Sequence, residues 1–153
     1  MPGSFGVSFE GRETPEVMRT AVATADAAGA ATLWFAAHLF QKEPIAVAAL
    51  ALAASRRVNV ALMAMSPYSV HPVYATMAAA TLDEYFPGRV QLCFGVGAPR
   101  DLEAAGIEAP QPLKVMRETV DIARALLAGD TVNHQGERFR VRGRSLATGA
   151  RAV

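Results

Sequence analysis

The chain has 153 residues, of which 52% are hydrophobic and 19% are charged, and this is enough for one domain with a real hydrophobic core. Its formal net charge of +1 gives no sign of attraction to nucleic acid or to a membrane surface. The longest apolar run, residues 45–54, is too short to span a bilayer, and the N-terminus lacks the pattern of a signal peptide. We therefore expect a soluble, cytoplasmic protein with a single domain over residues 1–153.

The sequence gives no signal for a disulfide or for a metal site. Cys93 is the single cysteine, so no disulfide forms within the chain, which fits a reducing compartment. Because Cys93 lies in an apolar run, we interpret it as a small buried residue. A basic cluster from Arg138 to Arg151 is interpreted as a solvated tail. The sequence lacks metal-ligand spacings of Cys and His and a nucleophile-elbow motif, so we predict no metal site.

Strands and helices alternate along the chain, and local signals mark where each begins or ends. Apolar residues alternate from residue 5 onwards, as in a strand. The Thr14–Pro15 pair is a typical helix start, and Gly29 is a typical left-handed cap. The predicted elements in chain order are strand 5–10, helix 15–28, strand 31–35, helix 44–55, strand 58–65, helix 72–85, strand 90–96, a short helical segment at 102–105, helix 112–127, and a hairpin of 132–135 with 138–141.

The second predicted helix is apolar on every side over residues 45–54. Such a helix needs burial on more than one face, and its own sheet can cover only one of them. We therefore predict an oligomer in which this helix contacts a partner. An alanine-rich helix tolerated at the surface is the alternative.

Repeated βα units imply a parallel sheet with right-handed crossovers. Two architectures agree with this pattern: a doubly wound open sheet, or four of the eight units of a (β/α)8 barrel. A full barrel takes roughly 200 residues or more, so this chain would supply half of one. In both architectures the reactive residues gather at the carboxyl ends of the strands.

His38 is the first candidate for a catalytic residue, because it lies just beyond the apolar strand that carries the only Trp. A packed or capping histidine is the alternative. Glu10 ends the first strand and could face the same edge of the sheet, where it would border a substrate pocket.

Two further stretches lie at the same edge. Tyr68 and His71 follow the third strand and are candidates for the substrate pocket, with a solvated loop histidine as the alternative for His71. Gly95 and Gly97 end the fourth strand and would allow a phosphate or a flat ring to approach the backbone. Their spacing does not match the dinucleotide fingerprint, and a tight strand exit explains it equally well.

Several stretches together resemble one family in their order and spacing. They read ADAAG at 25–29, LWFAAHLF at 33–40, AAATLD at 78–83 and PGRVQLCFGVG at 87–97, followed by the hairpin region 130–141. From residue 5 to about 141 the chain resembles the bacterial luciferase-like superfamily. This group contains monooxygenases and oxidoreductases that use reduced FMN or the deazaflavin coenzyme F420, including methylenetetrahydromethanopterin reductase-type proteins.

The resemblance implies a fold and a set of cofactor contacts. The fold would be the N-terminal half of a (β/α)8 barrel, ending before strand five, and the cofactor would be FMN or F420. His38 would lie beside the cofactor ring or the substrate. Leu62, Met63 and Ala64 would form a bulge with an unusual cis peptide behind the ring. The two glycines at 95 and 97 would lie near the ribityl or phosphate end.

The resemblance also implies a function and a partner. The activity would be hydride transfer or oxygen activation, and two copies would associate through helices 44–55 and 72–85. Ala37 stands where the family commonly has an acidic residue, which removes one possible orienting carboxylate from His38. The alternative is a non-catalytic remnant that acts as a dimeric ligand- or protein-binding module.

Overall fold

The computed structural model describes residues 4–153, and four of its strands form one parallel sheet in the order β1-β2-β3-β4. The elements are β1 (Gly6–Phe9), α1 (Pro15–Ala27), β2 (Thr32–Ala36), α2 (Pro44–Ala54), β3 (Asn59–Met65), α3 (Pro72–Tyr85), β4 (Val90–Phe94), α4 (Pro99–Ala104), α5 (Pro112–Leu127), β5 (Val132–Gln135) and β6 (Arg140–Arg144). A doubly wound sheet reverses its strand order at a switch point, whereas each strand here lies beside the one before it. The fold therefore consists of four consecutive βα units of the barrel type, and β5 and β6 form a separate antiparallel hairpin.

The register divides the parallel sheet into two faces with different chemistry. Leu33 pairs with Val60, which pairs with Val90, and all three are buried in the core shared with α1, α2 and α3. Side chains at the intervening positions point to the opposite face. On β4 that face carries Gln91 and Cys93, and both are exposed.

The prediction that Cys93 is buried is therefore wrong. An apolar run predicts burial only where both faces of a strand are covered. Within residues 4–153, β4 ends the sheet on one side, and helices cover only the face that carries Leu92. Cys93 lies on the uncovered face, which is the interior side of a barrel.

Side chains from neighbouring units hold the amino-terminal end of β3. The Asp26 carboxylate accepts hydrogen bonds from the backbone N–H groups of Arg56, Arg57 and Val58 at 3.1, 3.0 and 3.0 Å, and these bonds hold the pKa of Asp26 below its ordinary value. The Arg89 guanidinium donates to the carbonyl of Val58 at 2.9 Å. Residues from two neighbouring units thus fix where β3 begins.

The hairpin packs against α5 and forms a second core. β6 begins at Arg140, two residues later than predicted, because the N–H groups of Glu137, Arg138 and Phe139 bond to the Glu118 carboxylate instead of joining the strand ladder. The buried members of this second core are Tyr68, Leu102, Val115, Ile122, Leu126, Val132, Phe139 and Val141.

The basic segment that ends in Arg151 is only partly solvated, so its interpretation as a tail is wrong. Arg140, Arg142 and Arg144 are exposed, but they lie on a strand. The backbone N–H of Arg151 donates to the carbonyl of Leu127 at 2.8 Å, and its guanidinium lies 3.1 Å from the Glu84 carboxylate. The segment therefore returns along the end of α5 to α3.

Helices α2 and α3 leave large apolar side chains in solvent. Leu50 is 72% exposed, Tyr74 56% and Met77 44%, whereas the opposite side of α2 is buried against the sheet. The predicted apolar helix is therefore covered on one face only. In the described part of the chain, no helix combines the length and the apolar character needed to cross a membrane.

Candidate active site at the carboxyl ends of the strands

His38 lies between two carboxylates at the carboxyl ends of the parallel strands. Its Nε2 is 3.1 Å from Oε2 of Glu10, and its Nδ1 is 3.6 Å from Oδ2 of Asp101. Glu10 follows β1, His38 follows β2, and Asp101 lies in α4 after β4, so three different βα connections bring these groups together. The His38 side chain is 41% exposed, which leaves its imidazole open to a ligand.

A carboxylate at one ring nitrogen of a histidine fixes the tautomer and the orientation of the ring. Glu10 is within hydrogen-bonding distance of His38 and can do this, while Asp101 is close enough for electrostatic interaction. The absence of an acidic residue at Ala37 therefore does not leave His38 without a carboxylate. The arrangement is suited to giving or taking a proton at the imidazole.

A cavity of about 530 Å³ opens beside this histidine. Its walls are Arg12, His38, Gln41, Ala98, Pro99, Arg100 and Asp101. A larger cavity, of about 640 Å³, lies along α1 and β1 between Phe5 and Ala28. Because that cavity has neither a histidine nor a cysteine in its walls, the smaller one is the better candidate for chemistry.

The loop that carries Glu10 is fastened to the loop that carries His38. The Glu13 carboxylate accepts the Glu10 N–H at 3.0 Å, and the N–H of Lys42 donates to the carbonyl of Gly11 at 3.2 Å. Partial burial raises the pKa of Glu13, but hydrogen bonds from the loop backbone outweigh it and hold that pKa below its ordinary value. Glu13 therefore stays ionised and keeps the loop folded against its neighbour.

The carboxyl end of β3 contains a bulge where the resemblance predicts one. The register with β4 shifts between Leu62 and Met65, and the peptide bond between Met63 and Ala64 is cis. The Met63 carbonyl accepts the Ala37 N–H at 2.9 Å, which joins the bulge to the residue before His38. Contact of Leu62, Met63 and Ala64 with a cofactor stays a prediction.

Protein neighbours occupy the space beside the two glycines that follow β4. A Cβ at Gly95 would lie 2.8 Å from the Cβ of Ala64, and one at Gly97, where φ is +101°, would lie 3.1 Å from Oγ of Ser66. Close packing of β4 on the β3 bulge therefore explains why glycine stands at both positions. Contact with a cofactor phosphate stays a prediction for them.

Replacing Gly95 by Ala is expected to destabilise the fold by about 1–3 kcal/mol, because the added methyl group collides with Ala64 in a packed sheet. Chemical unfolding in urea measures this cost. The Ala64→Gly substitution removes the colliding group, so the double variant should lose less stability than the sum of the two single variants. Strict additivity of the two costs would show that the contact with Ala64 does not require the glycine.

Tyr68 lies in the second core, whereas His71 is exposed and its ring packs edge-on against Phe139 of that core at 4.9 Å; neither lines the cavity beside His38. The Tyr68 hydroxyl donates to the carbonyl of Pro110 at 2.5 Å, and burial raises its pKa. Nδ1 of His71 accepts the Val73 N–H at 3.2 Å and caps α3, and burial lowers the pKa of this histidine. Both side chains therefore have structural partners, and their place in a substrate pocket stays a prediction.

Asp101, Arg12 and Arg100 belong to the site but were not among the residues predicted from the sequence. Asp101 lies in a short helix that follows the fourth strand, so the rule that parallel strands gather chemistry at their carboxyl ends could have indicated it. Within residues 4–153, no group of three or more His, Cys, Asp or Glu side chains is placed to hold a metal ion.

Comparison with curated proteins gives one family and two kinds of relative. The model of a family described as luciferase-like monooxygenase matches residues 4–151. The 5,10-methylenetetrahydromethanopterin reductase of Archaeoglobus fulgidus is 28% identical over 142 residues, which are 93% of this chain and 43% of the relative. An F420-dependent glucose-6-phosphate dehydrogenase of Rhodococcus erythropolis is 32% identical over 98 residues, 60% of this chain and 29% of the relative.

Solved structures share the same fold. The coenzyme F420 dependent tetrahydromethanopterin reductase from Methanopyrus kandleri superposes with a TM-score of 0.87 at 19% identity, covering 96% of this chain and 46% of that one. An F420-dependent secondary alcohol dehydrogenase in complex with an F420-acetone adduct superposes with a TM-score of 0.86 at 22% identity, covering 98% and 50%. The chain thus spans about half the length of the relatives it matches, and the barrel-type fold is confirmed over the doubly wound alternative.

Proposed function

Because this chain belongs to the luciferase-like monooxygenase family, we propose that it carries the proton-transfer residue, His38, of a flavin- or deazaflavin-dependent oxidoreductase. The single observation that carries the proposal is the position of this exposed imidazole between the carboxylates of Glu10 and Asp101. A merely packed histidine needs neither carboxylate nor solvent access. The reaction is the oxidation or reduction of a small organic substrate in the cavity beside His38.

We expect the cofactor to be F420, with FMN as the alternative. The curated relatives at 28–32% identity support F420, since their names describe F420-dependent dehydrogenases and a methylenetetrahydromethanopterin reductase. One structural relative, in contrast, is a Baeyer-Villiger monooxygenase in complex with FMN. When bound, either group supplies the electron chemistry, as hydride transfer or, with reduced FMN, oxygen activation.

The residues at the strand ends fit the ring of such a cofactor better than its phosphate. The exposed imidazole of His38 has the donor and acceptor chemistry needed at the ring, and the bulge formed by Leu62, Met63 and Ala64 would close the site behind it. An open cradle for a phosphate is not supported at Gly95 and Gly97, because Ala64 and Ser66 fill the space beside them.

Each of the three polar residues has its own role in proton transfer. Through Nδ1, the ring nitrogen that is not hydrogen-bonded to Glu10, His38 would give a proton to the substrate oxygen or take one from it, while the bound cofactor would supply or accept the hydride. Glu10 holds Nε2 at 3.1 Å and fixes the ring orientation, and Asp101, which lines the same cavity, lies 3.6 Å from Nδ1. The backbone link between Gly11 and Lys42 keeps the two loops together during the reaction.

The working assembly is a cytoplasmic homodimer formed through α2 and α3. The exposed apolar side chains of Leu50, Tyr74 and Met77 support it, because a partner packed on these two helices would remove them from water. Leu50→Asp should shift the sedimentation equilibrium from dimer to monomer. Leu113→Asp is the matched control, since Leu113 is 82% exposed on α5. A parent chain that sediments as a monomer would contradict the dimer.

Titration of the purified chain with F420 and, separately, with FMN tests the cofactor. Perturbed cofactor absorbance that saturates is expected for one of the two, and His38→Ala should bind that cofactor with nearly the same affinity, since the proposed role of His38 is proton transfer. Absence of saturable binding with both would overturn the enzymatic proposal. That outcome would favour the alternative, a non-catalytic binding module.

A further inference from the structure

An apolar groove runs between α1 and α2, on the side of the sheet that the helices cover. It encloses about 400 Å³ and shares no wall residue with the cavity beside His38. On α1 its wall is one stripe at helical spacing, which consists of Pro15, Met18, Arg19 and Val22. Met18 and Val22 are buried, so they form the floor of the groove, whereas Arg19 is exposed at its rim.

The facing stripe on α2 has side chains that are too small to fill the space. It consists of Val47, Leu50, Ala51 and Ala54, again at helical spacing. Ala51 is buried and Leu50 is 72% exposed, so the stripe runs from the core to the solvent. Packed helices normally fill the gap between them with interdigitating side chains, but an alanine carries only a methyl group. The groove is therefore an apolar surface that the side chains of the described chain do not cover.

Two cationic side chains border this apolar surface. Among residues 4–153, the walls of the groove contain Arg19 and Lys42 but no Asp or Glu. None of the ion pairs in the same part of the chain includes either side chain. The ammonium group of Lys42 donates to the carbonyl of Gly11 at 3.5 Å, which is a long hydrogen bond. Both cations are therefore available to an anion from solution.

The other apolar cavity beside α1 differs in charge. The cavity along α1 and β1 has Glu16 in its wall and neither a lysine nor an arginine. An organic anion is repelled by a carboxylate and attracted by a guanidinium or an ammonium group. The groove between α1 and α2 is therefore the one of the two whose charge is complementary to an organic anion.

We propose that the groove between α1 and α2 is a binding site for a medium-chain fatty acid in its ionised form. The carboxylate meets Arg19 and Lys42, and the hydrocarbon chain lies along the apolar floor, where its removal from water favours binding. The α2 stripe from Val47 to Ala54 is about 10 Å long, which is the length of an extended chain of roughly eight to ten carbon atoms. The site needs no bound cofactor, so it is independent of the proposed function.

Calorimetric titration of the full chain with decanoate tests the proposal. Saturable binding is expected, and decanol, which has the same hydrocarbon chain without the charge, should bind about tenfold more weakly. Arg19→Gln and Lys42→Gln should each weaken decanoate binding roughly two- to fivefold, the range of an exposed ion pair. Arg117→Gln, which changes an exposed arginine of α5, is the matched control and should change nothing.

A second pair of variants tests the apolar floor without changing either cation. Ala54→Phe places a ring in the groove and should abolish decanoate binding. Ala46→Phe is the matched control, because Ala46 is also exposed on α2 but does not line the groove, and it should bind decanoate like the parent. Both positions face solvent, so neither variant should lower the thermal unfolding midpoint by more than a few degrees.

Several results would overturn the fatty-acid site. They are no saturable binding of decanoate by the parent, equal affinity for decanoate and decanol, and equal decanoate binding by the parent and Ala54→Phe. Leu50 lines the groove and also belongs to the surface proposed for the dimer, so the solution mass is measured with and without decanoate. An unchanged mass is expected, and a fall from dimer to monomer as decanoate binds would show that a second copy of the chain, and not a fatty acid, occupies the groove.

Discussion

Replacing His38 by Ala is expected to lower the turnover of the proposed F420- or FMN-linked reaction roughly 10²- to 10⁴-fold, the usual contribution of a positioned acid or base. The imidazole lies between Glu10 and Asp101 at the carboxyl ends of the strands, and no other histidine lines the adjoining cavity. The rate of cofactor oxidation or reduction under single-turnover conditions, followed by absorbance, measures the loss. Cofactor affinity should change little.

Two comparisons make this prediction specific. Glu10→Gln keeps the imidazole and removes only the orienting charge, so its loss of turnover should be smaller than that of His38→Ala. His71→Ala is the matched histidine control, because His71 caps α3. It should cost about 1 kcal/mol of stability and leave turnover intact. Equal turnover of His38→Ala and the parent would remove His38 from the reaction.

The parts of the site that the sequence predicted all follow from one rule. His38 and Glu10 end adjacent strands, and adjacent parallel strands bring their carboxyl ends together. Their contact at 3.1 Å therefore needed only the element boundaries to be nearly right. Asp101 lies in the short helix that follows β4, two strands after the one that precedes His38. Its distance from His38 depends on the curvature of the sheet, and the hydrophobic periodicity of the sequence does not predict that curvature.

The sequence also did not predict which distant backbone groups the charged residues would bind. Asp26 and Glu118 are ordinary acidic residues of helical stretches, yet each accepts backbone N–H groups from a segment about twenty to thirty residues away. The burial of Cys93 was mispredicted for a different reason: an apolar run does not reveal which face of an edge strand stays uncovered. Hydrophobic patterning thus locates the elements, whereas contacts between polar groups decide how the loops attach to them.

Replacing Glu118 by Ala is expected to cost roughly 3 kcal/mol of stability and to detach the hairpin from α5, because charge-assisted hydrogen bonds are among the strongest. The carboxylate, whose side chain is 14% exposed, accepts the N–H groups of Glu137, Arg138 and Phe139 at 2.8, 3.2 and 3.0 Å. Hydrogen exchange should show lost protection at these three amides first. The exposed Asp121 on the same helix supplies the control, and Asp121→Asn should cost almost nothing.

The effect of Glu118 should depend on pH with a defined sign. Partial burial raises its pKa, but the backbone hydrogen bonds and the nearby His134 outweigh burial and hold the pKa below its ordinary value of 4.5. A lowered pKa in the folded state contributes stability above the ordinary value, and this contribution is lost as the pH falls through the folded-state pKa. The difference in unfolding free energy between the parent and Glu118→Gln should therefore be largest near neutral pH.

Below about pH 4.5 the difference between the parent and Glu118→Gln should shrink, because protonation removes the charge that the glutamine already lacks. Other ionisable groups near the turn cannot produce this result. The imidazole of His134, with Nε2 3.7 Å from the carboxylate, is present in both the parent and Glu118→Gln. The Lys114–Glu137 pair is more than 60% exposed on both sides and contributes little. A difference that stays constant down to acid pH would mean that the hairpin is held by its apolar contacts with α5, and not by the Glu118 carboxylate.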